Sequence, residues 1–178
     1  MSSISWKKSM KWSSNNLMWG RPLRSIFAIF NGKKLPFKYH HLESTDNIII
    51  EQDLITKSQK IKSFKEYFSL LKSNKILVDH NERQKIILKR FNSVSKSKNY
   101  KEQYNQRLLE EVVNIVEDPN VLLINFDKEY LKIPQEIIIS TLEKHQRYFP
   151  TFDSRDRLTN FFFVVANKKD EKKFIAKG

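Results

Sequence analysis

The 178-residue sequence has no cysteine, only three glycines and only five prolines. Without cysteine there is no disulfide framework and no thiolate-held metal, so the fold needs no oxidising compartment and the cytoplasm is the expected setting. The shortage of glycine excludes more. Loops that cradle phosphate need glycines so that the backbone can approach the ligand, and neither a P-loop nor a dinucleotide fingerprint occurs. Long apolar runs are also missing. "IIISTL" and "FFFVVA" fall far short of the roughly 20 residues that a membrane-spanning helix requires, so no membrane partner is expected. The N-terminus has no signal-peptide core. With no internal repeat and no Pro- or Gly-rich linker, one α/β module over residues 1–178 is expected.

What is present points to a folded, basic chain. A hydrophobic content of 39% with 12% aromatics supports a packed core rather than disorder. The formal charge of +13 and pI near 9.8 suggest an acidic partner, nucleic acid first, because Lys and Arg bind phosphate by releasing counterions. A second reading competes. Lysine greatly outnumbers arginine, and Lys, Asn and Ile dominate, as an AT-rich genome would impose on any solvated face. Arg21, Arg24, Arg83 and Arg147 are therefore more informative than any lysine.

Residue patterning predicts an irregular interleaving of helices and strands. Trp6, Met10 and Trp12 share one side of a short helix within an opening segment, residues 1–20, that "SSNN" breaks. Asn31-Gly32 tolerates positive φ at both positions and predicts a hairpin between Leu23–Phe30 and Leu35–Tyr39. Ile48–Ile55 reads as a strand. Ser63–Ser73 reads as an amphipathic helix entered through a Ser63/Glu66 capping box. "KILVDH" is a short strand candidate, and Asp79 or Asn81 can cap the following helix, which "NSVSKSKNY" ends. A helix over Glu102–Glu117 stops at Asp118-Pro119, "VLLINF" is a buried strand, and Pro134 starts another helix. Tyr148–Phe152 and Asn160–Ala166 pair across "DSRDR", with Pro150 requiring an edge or a bulge. The class is α+β with a mixed β-sheet and packed helices. The charged tail, residues 168–178, stops in mid-pattern.

Local chemistry is mostly negative. The four histidines lack metal-ligand spacing, and adjacent His40 and His41 on a strand point to opposite faces, so no metal site is expected. No nucleophile elbow surrounds any serine. Glu110 and Glu111, neighbours on a helix, lie about 100° apart and cannot face each other. "TLEKHQRYFP" remains, with His145, Gln146, Arg147 and Tyr148 crowded between an apolar helix and a proline. If Ile138, Thr141, Leu142 and His145 continue one helical face, His145 points at the sheet as a core histidine. Arg147 has two readings, a phosphate contact or an internal ion pair.

Four features in order now resemble a family: the Arg21-Pro22 pair, Ile133–Thr141, Lys144–Pro150 and Val165–Asn167. Together with "KSMKW", "LLEEVVNIVEDPNVLLINFDKEYL" and "NFFFVVAN", they resemble the beta subunit of the bacterial tetrameric glycyl-tRNA synthetase. The resemblance implies an internal fragment of a longer beta subunit, similar in fold to the α/β editing-type insert of the phenylalanyl-tRNA synthetase beta chain. It implies a non-catalytic module that binds tRNA(Gly) and organises the assembly with the alpha subunit and the remaining beta-subunit domains. ATP and Mg²⁺ would be used by the alpha subunit, with no cofactor in this segment. Candidate tRNA contacts are Arg21, Arg24 and Arg147, with Lys7, Lys8 and Lys11 as a diffuse patch. His145, Gln146, Tyr148 and Asn167 are family-motif residues of unassigned role. One departure stands out: the family's "G-H-R" triplet aligns with Glu51-Gln52-Asp53, an acidic replacement. The alternatives are a hydrolytic editing domain, using His145 with Glu117 or Glu143, and a pure interaction scaffold.

Overall fold

The computed structural model describes residues 8–12, 14, 16–52, 55–101 and 103–169. Lys7, Asp53 and the tail from residue 170 onward lie outside the described residues. The chain divides into two compact units, residues 1–70 and 71–178. The architecture is α+β, with several small sheets and four α-helices among the described residues.

The first unit is built from short strands. β1 (Met10–Lys11) and β2 (Met18–Trp19) form an antiparallel ribbon, where sequence patterning predicted a helix. A segment this short has little helical stability of its own, and the Trp12 indole N–H donates to the Trp19 carbonyl across the ribbon at 3.1 Å. β3 (Ile26–Phe27) and β4 (Ile29–Phe30) replace the single long strand expected there. The chain changes partner at Ala28, whose N–H donates to Thr45 and whose carbonyl accepts from Leu35. β4 and β5 (Lys33–Lys34) close a hairpin at the predicted turn, with Asn31 and Gly32 at φ 47° and 74°, but its second arm is Lys33–Lys34 rather than the expected Leu35–Tyr39. β6 (Lys38–Tyr39) lies antiparallel and β3 parallel to β7 (Leu42–Thr45), which makes this three-stranded sheet mixed. Buried Ser44 is satisfied there, donating to the Leu35 carbonyl and accepting from the Phe37 N–H. β8 (Asn47–Gln52) and β9 (Ile55–Lys60) form a second hairpin. Helix α1 (Phe64–Ser73) begins as predicted: Ser63 Oγ accepts from the Glu66 N–H, and the Glu66 carboxylate accepts from the Lys62 N–H.

The second unit is layered. Leu77 to Asp79 are not a strand; the Leu77 N–H donates to the Glu117 carbonyl, and the Arg83 guanidinium takes the Leu77, Val78 and Val113 carbonyls. Asp79 caps α2 (His80–Lys98), which runs through the polar stretch expected to end it and stops at Asn99 in the left-handed conformation. Asn105 caps α3 (Gln106–Ile115). β10 (Asn120–Asn125) leads through a 3₁₀ turn, Lys128–Lys132, to α4 (Gln135–Ser140), which continues as a π-helix over Thr141–Gln146. β11 (Phe149–Phe152) and β12 (Leu158–Ala166) complete an antiparallel sheet ordered β10-β12-β11. Pro150 thus sits on an edge strand, beside a bulge, where a missing N–H costs least.

β12 explains its unbroken apolar sequence. Phe163 and Val165 face a core containing Ile87 and Phe91 of α2 and Leu109, Val112 and Val113 of α3, while Phe162 and Val164 face Ile138, Leu142 and Tyr148. Both faces of the sheet are covered, so the strand has no solvent side on which to alternate polar residues. Phe91 stacks on Phe163 at 4.5 Å and meets Phe149 edge-on at 4.9 Å between ring centroids.

Candidate nucleic-acid interface

The predicted contacts fall in both units. In the first, Lys8, Lys11 and Arg21 are exposed and make no ion pair among the described residues. Arg24 is also exposed, but its guanidinium pairs with Glu51 at 2.6 Å. Glu51 thus supplies a counter-charge to one of the candidate arginines. Asp46 is held below the usual carboxylate range, chiefly by the hydrogen bond from Lys60 at 2.8 Å, with the charge of Lys34 adding to it.

In the second unit the "HQRYFP" residues separate by role. His145 is exposed, contrary to the inward orientation expected from helical phasing. The i→i+5 bonding of the π-helix widens each turn, so each residue advances by less than the 100° of an α-helix. Leu142 stays buried, but three further steps no longer bring His145 back beside it. Gln146 is exposed as well. Arg147 adopts φ 59°, ψ 36° at the C-cap, where its N–H and that of Tyr148 both donate to the Leu142 carbonyl. Its guanidinium turns back to donate to the Glu143 and Lys144 carbonyls and pairs with Glu111 of α3 at 3.1 Å. Tyr148 stacks on Phe162 at 5.1 Å.

Asn167 acts as a latch. Its Oδ1 accepts the Glu117 N–H at 2.5 Å and the Asp118 N–H at 3.2 Å, joining the end of β12 to the turn before β10. Glu143 accepts from the Asn105 side chain at 2.9 Å. His145 makes no hydrogen bond or ion pair among the described residues, so neither Glu117 nor Glu143 is its partner there. No three His, Asp or Glu side chains gather as a metal site among the described residues. No described helix is long and apolar enough to cross a membrane.

Sequence reasoning missed Glu51 and Glu111 as the partners of Arg24 and Arg147. Each pair joins residues far apart in the chain, so local spacing carries no trace of it.

Comparison with known proteins then defines the family. A family model described as glycyl-tRNA synthetase beta subunit matches residues 1–178. Among curated relatives, the glycine–tRNA ligase beta subunit of Listeria welshimeri is 34% identical over 96% of this chain, and that of Dictyoglomus turgidum is 35% identical over 98%. The Rickettsia felis beta subunit is 33% identical over 92%. The chain belongs to the glycyl-tRNA synthetase beta subunit family, and it spans about a quarter, 25%, of the length of these relatives.

Proposed function

We propose that this chain forms a tRNA-holding and subunit-organising part of a glycine–tRNA ligase, without a catalytic centre of its own. The observation that carries the reading is the family match along the entire chain. The +13 charge agrees with it, because lysines and arginines that neutralise phosphates gain free energy from counterion release. In this reading tRNA(Gly), the alpha subunit and the remaining beta-subunit domains are the partners, in the cytoplasm. The alpha subunit uses ATP and Mg²⁺ for the chemistry, and this chain positions the RNA. The α+β module as a whole is read as the counterpart of the α/β insert of the phenylalanyl-tRNA synthetase beta chain.

Exposed Arg21, Lys8 and Lys11 are the proposed phosphate contacts, and Lys7, outside the described residues, is grouped with them by sequence alone. Arg24 and Arg147 contribute less, because Glu51 and Glu111 already compensate their charges. The hydrolytic alternative has little support: His145 lacks a partner among the described residues, and Glu143 is engaged by Asn105. A filter-binding titration with cognate tRNA at two salt concentrations tests the proposal. Binding that weakens steeply with salt is expected; salt-independent or absent binding would leave only a scaffold role.

A further inference from the structure

The first unit keeps two phenylalanine rings in water. Phe30 is 76% exposed and Phe64 75% exposed, more than any other large apolar side chain among the described residues. Phe30 ends β4 directly opposite Lys33, and residues paired across a ribbon share one face of it. The tip of this hairpin lies against the approach to α1, because a Cβ on Gly32 would come within 3.4 Å of the Lys62 carbonyl oxygen. That approach leads to Phe64, whose ring centroid lies 4.5 Å from that of Phe68, itself 40% exposed. The helix face beneath is fixed by Tyr67, stacked on Phe27 of β3 at 5.9 Å.

The charges around these rings are mostly positive. Lys33, Lys34, Lys62 and Lys65 are exposed and make no ion pair among the described residues. Two carboxylates lie nearby: Asp46, between β7 and β8, pairs with Lys60 Nζ at 2.8 Å, and Glu66 on α1 accepts from the Lys62 backbone N–H at 2.9 Å, leaving the lysines in excess. An apolar protein surface placed here would have to strip water from several ammonium groups without compensating them. An RNA duplex would meet the lysines but hides its base faces within its own stack. Unpaired nucleotides use both features, with phosphates on the lysines and bases on the rings.

We infer that the Phe30 hairpin and the Phe64–Phe68 start of α1 form a stacking surface for unpaired nucleotides of single-stranded RNA, an inference that rests on the RNA-holding role proposed above. The full chain is titrated with a labelled oligouridylate of about 12 nucleotides and with a duplex of equal length, at two salt concentrations, alongside cognate tRNA. The duplex carries twice the phosphates, so charge alone would favour it; the stacking surface predicts tighter binding of the single strand. Phe30→Ala and Phe64→Ala should each weaken single-strand binding roughly 5- to 150-fold, and Phe30→Trp should restore it. Lys33→Ala should lower the salt slope by about 0.7. Unchanged circular dichroism melts establish that the variants fold. Tighter duplex binding, or folded Phe→Ala variants that bind normally, would overturn the inference, and salt-sensitive tRNA binding in that case leaves the broader proposal standing. Loss of alpha-subunit co-purification in Phe30→Ala, with RNA binding intact, would also overturn it by marking the rings as a protein contact. Absence of tRNA binding together with ring-dependent oligouridylate binding would reject the broader proposal and uphold the stacking surface.

Discussion

Replacing Arg147 separates a structural joint from an RNA contact. The guanidinium donates to the Glu143 and Lys144 carbonyls at the end of the π-helix and pairs with Glu111, while the side chain stays 47% exposed. Solvent reduces the value of each interaction. The two carbonyl bonds together are worth about 1 kcal/mol and the exposed ion pair about 0.5 kcal/mol, so Arg147→Ala should cost about 1.5 kcal/mol. Arg147→Gly loses the same contacts but relieves the left-handed backbone at φ 59°, recovering about 1 kcal/mol and leaving a net cost of about 0.5 kcal/mol. Glycine should therefore be the milder substitution. Thermal melts followed by circular dichroism measure both variants; the midpoint should fall by about 3–6 °C for alanine and about 1–2 °C for glycine. If both variants were as stable as the parent and tRNA affinity fell instead, the guanidinium would be serving a partner and the joint assignment would be wrong.

Three further outcomes test the packing. Phe91→Ala removes a ring buried between Phe149 and Phe163 and should cost about 3–5 kcal/mol in urea denaturation, whereas Phe91→Leu should cost clearly less. Asn167→Ala frees the Glu117 and Asp118 N–H groups and should cost about 1 kcal/mol; Asn167→Asp keeps the acceptor and should stay near the parent, and equal losses would refute the latch. Asp153 is held below its ordinary value of 3.8, first by the Arg157 N–H and then by its guanidinium and the Arg155 N–H. A lowered folded pKa stabilises above the unfolded value, so this contribution should be complete above about pH 4 and disappear as pH falls through the depressed value. Asp153→Asn should flatten the acid limb of a stability profile there, and an unchanged limb would exclude the linkage.

Local chemistry made much of the fold readable. Asn31-Gly32 specifies a turn with positive φ, Ser63 and Asp79 satisfy the first N–H groups of their helices, and Pro150 demands an edge. Each of these signals acts within about four residues, which is why it survives in one dimension. The run "NFFFVVA" was readable as a strand paired across "DSRDR", and the structure explains why it does not alternate: both of its faces are covered. The ribbon at β1–β2 was not readable, because its stability comes from a side-chain bond to a backbone carbonyl seven residues away rather than from periodicity. Nor did the composition mark the division at residues 70 and 71, which falls inside α1 and not in a Gly- or Pro-rich linker.

The histidine shows how a correct pattern can mislead. Ile138 and Leu142 do share the covered side of the sheet, but Thr141, which the same phasing placed with them, is exposed. What changed was the helical period, and no residue in "TLEKHQ" announces that change as glycine announces a turn. The reason lies at the far end of the segment. Arg147 must take the left-handed conformation so that its N–H and that of Tyr148 reach the Leu142 carbonyl and the chain can enter β11 with Phe149 buried. The wide turn thus accommodates the junction with the sheet, and exposure of His145 and Gln146 follows from it. A cluster that reads as an active site in one dimension becomes, in three, the geometry by which a helix is joined to an edge strand.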